Sequence, residues 1–224
     1  MAKKPQAGRT KTRLAAALGE TEAAAIYEAM LLDTLETCGQ VDAALLISYA
    51  PHTHEAAGYF RRIAPSAALT AQPETGFGGR LSSAMQAAFD REFEQVAVVG
   101  SDIPQIARAS IEQAFDALEG HDAALGPTRD GGYYLLALSA AQPRLFTGIE
   151  WSSGRELAQS VDRAAALGLR LAMVEEAFDI DEVEDLISLR ELIAADGSAV
   201  CPRTAAALSR MDERVPTGVD AFAP

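Results

Sequence analysis

The chain has 224 residues and a mass of 23.7 kDa, with 49% hydrophobic residues, 23% charged residues and a net charge of −13. This composition excludes a disordered chain and a small disulfide scaffold, and no apolar run approaches the roughly 18 residues of a membrane span. An acidic body also argues against nucleic acid as a partner, because its phosphate backbone is met by clustered Lys and Arg. Cys38 and Cys201 lie far apart without a metal-ligand spacing, and no long apolar h-region opens the chain. A reducing, cytoplasmic setting is therefore expected.

Charge is uneven: residues 1–13 hold five basic residues and no acid, and the rest of the chain holds 14 basic and 32 acidic residues. The opening Lys3-Lys4-Pro5-Gln6-Ala7-Gly8-Arg9-Thr10-Lys11-Thr12-Arg13-Leu14 interleaves cations with small residues. Three readings fit it: a disordered tail, a targeting presequence, or a loop that wraps a diphosphate with backbone N–H groups and point charges. It is not a Walker A loop, since Gly-x4-Gly-Lys-Ser/Thr is absent. Ile26 with Met30, and Tyr27 with Leu31 and Leu35, recur at helical spacing and predict a helix over 20–38. Ala43–Ile47 reads as a buried strand ended by Ala50-Pro51, and a helix over 54–63 follows, with His52 and His54 in a solvated loop. A helix over 79–93 comes after the glycine-rich Gly76-Phe77-Gly78-Gly79, then the clearest strand, Val96–Val99. Pro104 is expected to open a helix reaching Leu118. Strands at 122–125, 133–138 and 169–174 and helices at 153–167, 181–195 and 202–211 complete the pattern. Alternating strands and helices predict an α/β domain with a mainly parallel sheet, whose ligands sit beyond the carboxyl ends of the strands. A single domain over 1–211 is expected, with 212–224 an irregular tail.

Three further segments carry chemistry. In Val96-Ala97-Val98-Val99-Gly100-Ser101-Asp102-Ile103-Pro104 an apolar strand delivers a carboxylate to its end. Asp102 there suits either a divalent metal ligand or the N-cap of the next helix. Gly126-Pro127-Thr128-Arg129-Asp130-Gly131-Gly132-Tyr133 supplies glycines that admit a close ligand and the polar Arg129 and Asp130, but Asp-Gly is also a strong hairpin signal. In Phe178-Asp179-Ile180-Asp181-Glu182-Val183-Glu184-Asp185, first-turn acids explain Glu182, Glu184 and Asp185. Asp179 and Asp181 are left over, and could complete a metal site begun by Asp102.

Taken in order, these segments resemble the radical-SAM/selenodomain-associated transferases of the first type, glycosyltransferase-like proteins with the GT-A nucleotide-diphospho-sugar transferase fold. The motifs are the basic loop through Leu14, Gly100-Ser101-Asp102-Ile103-Pro104, Gly126-Pro127 with Asp130-Gly131-Gly132-Tyr133-Tyr134, Trp151-Ser152, and Asp179-Ile180-Asp181 with Glu184-Asp185-Leu186. They span the chain to about residue 195. The resemblance implies a three-layer α/β/α fold of Rossmann-like type. It implies that Gly8, Arg9, Lys11 and Arg13 hold nucleotide phosphates, and that Gln72, Arg80 and Gly131 lie beside the nucleotide. Asp102 and Asp130 become the catalytic pair, and Asp102, Asp179 and Asp181 the ligands of Mg²⁺ or Mn²⁺. Trp151 is either an acceptor-pocket residue or a core residue. The expected activity is transfer from a nucleoside-diphosphate sugar to a small-molecule acceptor. The alternatives are a nucleotidyltransferase of the phospholactate guanylyltransferase type and a non-catalytic family member. Because Met1 stands where the family's first strand should end, that strand is expected to be truncated or missing.

Overall fold

Short apolar runs become strands only where a partner pairs with them, and the computed structural model, which describes residues 1–197 and 199–211, locates that pairing. The tail expected at 212–224 lies outside the described residues. The strands are β1 (Ala2–Lys3), β2 (Leu46–Ala50), β3 (Ala68–Ala71), β4 (Val96–Val99), β5 (Ala123–Pro127), β6 (Tyr133–Leu138) and β7 (Leu171–Met173). The helices are α1 (Thr12–Leu18), α2 (Glu20–Gly39), α3 (His54–Ile63), α4 (Phe77–Phe89), α5 (Arg108–Ala117), α6 (Glu156–Ala166), α7 (Val183–Asp196) and α8 (Pro202–Ser209). A 3₁₀ turn, Pro143–Phe146, precedes α6. No helix among the described residues is long and apolar enough to cross a membrane.

The chain gathers into two compact units. The first comprises Met1–Lys4, Cys38–Gly100 and Arg108–Phe178 and contains all the strands of the described residues. Three strands pair in parallel in the order β1-β2-β3, and four pair in the order β4-β6-β5-β7, where only β6 runs antiparallel to its neighbours. The fold is therefore the expected α/β class with a mainly parallel sheet. Leu135 through Leu138 of β6 are all buried, which requires cover on both faces of the strand. On one face Leu136 and Leu138 join Leu81 and Met85 of α4, Leu125 of β5 and Phe146 of the 3₁₀ turn in a continuous apolar cluster.

Several boundaries differ from expectation. The first strand is present, though only two residues long: Ala2 and Lys3 pair with Tyr49 and Ala50. The Met1 ammonium also donates to the Val99 carbonyl at 2.7 Å. The strand predicted at 43–47 is displaced to Leu46–Ala50, because its register is set by Leu46 pairing with Ala68, while Ala43 turns back to bond the Val41 carbonyl. The helix expected from Pro104 starts only at Arg108, after a turn in which Ile106 N–H bonds the Ile103 carbonyl. His52 and His54 are exposed as expected and flank Thr53, whose hydroxyl caps α3 by accepting from Ala56 N–H at 3.1 Å.

The second unit comprises Pro5–Thr37, Ser101–Ala107 and the segment starting at Asp179. It contains α1, α2, α7 and α8. Helix α2 organises it: the Tyr27 hydroxyl bonds the Ser101 hydroxyl at 2.8 Å, and Thr34 Oγ1 donates to the Ile103 carbonyl at 3.4 Å. The residues on either side of Asp102 are thereby tied to one long helix.

Candidate functional site

The second unit brings three separate sequence motifs together. The basic opening is a closed loop. Arg9 N–H and Thr10 N–H both donate to the Gln6 carbonyl, and the buried Thr10 hydroxyl donates to that carbonyl while accepting from Gln6 N–H. Gly8 has φ +71°, a left-handed conformation that favours glycine there. The loop passes through Lys11, itself left-handed at φ 49°, straight into α1. Leu14 and Leu18, one helical turn apart, are the buried residues that anchor α1.

Asp102 leaves Gly100-Ser101 in an irregular segment. Because α5 begins six residues later, the N-cap reading of Asp102 falls away. Its backbone carbonyl instead accepts from Ile180 N–H at 3.1 Å. Ile180 is fully buried, so this bond locks the Asp179-Ile180-Asp181 segment beside Asp102. One ligating oxygen from each of Asp102, Asp179 and Asp181 then lies within 4.8 Å of the others. The remaining acids are structural, as expected. Glu182 and Asp185 form a capping box for α7, and the Asp185 carboxylate accepts from Asp181 and Glu182 N–H groups at 2.9 and 2.7 Å.

Lys11 reaches into this cluster. Its Nζ lies 2.9 Å from Asp102 Oδ2 and 2.5 Å from Asp181 Oδ1, and its side chain is 6% exposed. Burial alone would favour the neutral amine, but the charges of Asp102 and Asp181 prevail and hold the ammonium well above the usual lysine range. For Asp102, burial likewise opposes ionisation, yet the charge and hydrogen bond of Lys11 hold its carboxyl below the usual carboxylate range. Arg13 lies at the margin, 3.4 Å from Glu182 and 3.9 Å from Asp181, and Arg9 is exposed. Three carboxylate oxygens close together are a hard donor set of the kind Mg²⁺ and Mn²⁺ take. The acids expected from sequence to ligate a metal therefore do converge. Motif reading missed that Lys11 is already committed to two of them, and no signal along the chain announces that contact.

The other expected residues lie in the first unit. Asp130 sits in the tight turn joining the antiparallel β5 and β6, where its Oδ1 accepts from Thr128 Oγ1 at 2.5 Å and from Gly132 N–H at 3.1 Å. Gly131 has φ +87°, and a Cβ there would collide with the Gly154 carbonyl. Both features make the hairpin account of this segment structurally sufficient. The Gln72 side chain is buried and donates to the Ser48 carbonyl at 2.8 Å and to the Ala2 carbonyl at 3.5 Å. Arg80 donates to the Thr75 carbonyl at 2.8 Å and lies over the Phe77 ring. Trp151 packs against Gly78, where no side chain would fit, with Phe77 and Tyr133 rings 5.0 and 6.2 Å away.

Comparison with known proteins places this architecture. A crystal structure from Desulfovibrio desulfuricans G20, provisionally described as a nucleotide-diphospho-sugar transferase, matches with a TM-score of 0.89 and 30% identity over 95% of this chain and 93% of its own. The 3-phospho-D-glycerate guanylyltransferase of Phenylobacterium zucineum (strain HLK1) is 29% identical over 190 residues, 80% of this chain and 83% of its own length. The fold also matches Rv0371c of Mycobacterium tuberculosis H37Rv, solved as a complex with manganese, with a TM-score of 0.53 and 16% identity over 85% of this chain and 95% of its own. By fold and kinship the protein is a transferase with the nucleotide-diphospho-sugar transferase fold. The family described as "Uncharacterized protein conserved in bacteria (DUF2064)" matches residues 31–153, more than half of the chain, and the chain belongs to it. That stretch includes Asp102 and Asp130 but neither the basic loop nor Asp179 and Asp181.

Proposed function

We propose that the protein is a divalent-metal-dependent nucleotidyltransferase that joins a nucleoside monophosphate from an NTP to a phosphorylated small acid. The observation that carries this reading is the convergence of Asp102, Asp179 and Asp181 around Lys11, beside a loop that also holds Arg9 and Arg13. The guanylyltransferase relative, aligned over 80% of this chain, supports GTP as the donor and 3-phosphoglycerate or a similar phosphorylated carboxylic acid as the acceptor.

In the reaction, a phosphate oxygen of the acceptor attacks the α-phosphorus of the NTP. The bond from the α-phosphorus to the α,β-bridging oxygen breaks, and pyrophosphate leaves with that electron pair. Asp102, Asp179 and Asp181 would hold Mg²⁺ or Mn²⁺. When bound, such an ion offsets phosphate charge and orients the triphosphate. Lys11, Arg9 and Arg13 supply positive charge to the leaving pyrophosphate, the kind of electrostatic contribution that is often the largest in catalysis. Gly8 keeps the loop backbone in the left-handed conformation that lets its neighbours present these charges. The roles that the resemblance implies for Asp130, Gly131, Gln72 and Arg80 in the first unit are separate proposals, each to be tested by its own variant.

A second reading, transfer from a nucleoside-diphosphate sugar, is favoured by the description of the D. desulfuricans protein. The radical-SAM/selenodomain association rests on the motif resemblance alone. The two reactions differ in product, pyrophosphate against free nucleoside diphosphate. Incubation with GTP, 3-phosphoglycerate and Mn²⁺ should release pyrophosphate that Asp102→Ala does not release. Nucleoside diphosphate from a nucleotide sugar, with no pyrophosphate from any NTP, would replace this reading with the second.

A further inference from the structure

The ion pairs of Lys11 have an unusual consequence for the carboxylate cluster. A lysine whose only task was to receive phosphate would be expected to stand clear of the metal ligands. Here Nζ takes one oxygen of Asp102 and one of Asp181, two of the three carboxylates that come within 4.8 Å of one another. A divalent ion bound through those oxygens and the Lys11 ammonium would repel one another and compete for the same lone pairs. The two positive charges therefore exclude each other from this position.

Three features make the lysine exchangeable. The Asp102 and Asp181 side chains are 34% and 43% exposed, so a hydrated cation can reach them from solvent while Lys11 holds them from within. A lysine head is a compact charge on a flexible four-carbon stem, so Nζ can change partner while the loop, closed by Thr10 and Gln6, stays in place. The backbone of Lys11 is left-handed, a conformation that costs a non-glycine residue energy and that its two ion pairs offset. A second strong anion could take over that compensation, and the polyphosphate of a nucleotide is one.

We propose that Lys11 is an exchangeable internal counter-ion: it neutralises Asp102 and Asp181 in the free protein and passes to the nucleotide's phosphates when the divalent ion enters, so that metal and nucleotide bind cooperatively. The proposal rests on the metal-site reading given above. By reciprocity, the factor by which nucleotide strengthens metal binding equals the factor by which metal strengthens nucleotide binding.

The test measures Mn²⁺ binding directly, from the electron-paramagnetic-resonance signal of the free aquo ion, with and without the non-hydrolysable guanosine α,β-methylene triphosphate. The full chain is used, with binding of Mn²⁺ to the nucleotide alone subtracted. Lys11→Met should bind Mn²⁺ alone at least about tenfold more tightly than wild type, and the enhancement by nucleotide should shrink correspondingly, within the usual 5–150-fold range of such couplings. Lys11→Arg, which keeps the charge, should bind Mn²⁺ alone as weakly as wild type. If Lys11→Met does not fold, Lys11→Gln serves as the neutral variant, and the expected result includes a larger rise in Tm on adding Mn²⁺ than wild type shows. A neutral variant that binds Mn²⁺ no more tightly than wild type, while Asp102→Asn loses nucleotide-dependent Mn²⁺ binding, overturns the exchange and leaves the metal site intact. Asp102→Asn with unchanged Mn²⁺ binding overturns the metal-site reading itself, and the exchange with it.

Discussion

Replacing Asp33 with alanine would remove an acceptor that α8 cannot supply for itself. The N-cap of α8 is Cys201, whose side chain makes no capping bond. Asp33 of α2 does the capping from outside: Oδ1 accepts from Arg203 N–H at 3.2 Å, and Oδ2 accepts from Thr204 N–H at 2.8 Å and from Thr204 Oγ1 at 2.7 Å. Loss of a cap costs about 1 kcal/mol. Stranding the fully buried Thr204 donors costs about 1–3 kcal/mol more. The Arg203 guanidinium is half-exposed and keeps Glu36, so its share is under about 1 kcal/mol. The expected loss is therefore about 3 kcal/mol, or a fall in Tm of roughly 10 °C for a chain of this size. Urea denaturation at unchanged m-value is the assay. Thr204→Val should cost about 1 kcal/mol, and the double variant less than the two losses combined, because each removes part of the same bond. A loss below about 1 kcal/mol for Asp33→Ala, or full additivity with Thr204→Val, would refute this account of how α8 is held.

Gly131→Ala should destabilise by at least about 2 kcal/mol, since alanine meets both the unfavourable φ of +87° and the Gly154 carbonyl; a loss under about 0.5 kcal/mol in urea denaturation would contradict that. Burial pushes the Tyr133 hydroxyl up to about 12, against a weaker opposing hydrogen bond from Ser160 and with a small reinforcement from Glu156. The unfolded chain releases this proton near pH 10 and the folded chain only near about 12, so the neutral phenol supports the fold below pH 10 and stability falls as pH rises between those values. Tyr133→Phe should lessen that decline, and the tyrosinate absorbance of the native protein should lose its latest-titrating step; identical titrations would exclude the assignment.

The fold was legible wherever one segment carried its own instructions. The β4 run Val96–Val99 and the β6 run Tyr133–Leu138 are apolar throughout, and α3 has Thr53 as a cap, so both the kind and the limits of these elements follow from local residues. Elements defined by a partner were not legible. β3 is the unremarkable Ala-Leu-Thr-Ala, made a strand by pairing with β2, and the same pairing moves β2 past the apolar run that announced it. Helix α1 was hidden because its first residues belong to the basic loop and only Leu14 and Leu18 are buried. The acids of the site stood out as motifs, and so did the division of Glu182 and Asp185 from Asp179 and Asp181. Their meeting with Lys11 did not, because no spacing along the chain encodes the contact of residue 11 with residues 102 and 181.

The bond from Ile180 N–H to the Asp102 carbonyl joins two stretches of chain that carry the acids, and it is made by main chain alone. Side-chain replacement leaves such a bond in place, so the frame and the functional groups mounted on it vary independently. Sequence drift at Asp179, Asp181 or Asp102 alters the groups that the pair of stretches presents without altering where the main chain is joined. The same skeleton thus offers a fixed mounting for different side chains, and changing what it presents is a matter of exchanging three residues rather than rebuilding a loop.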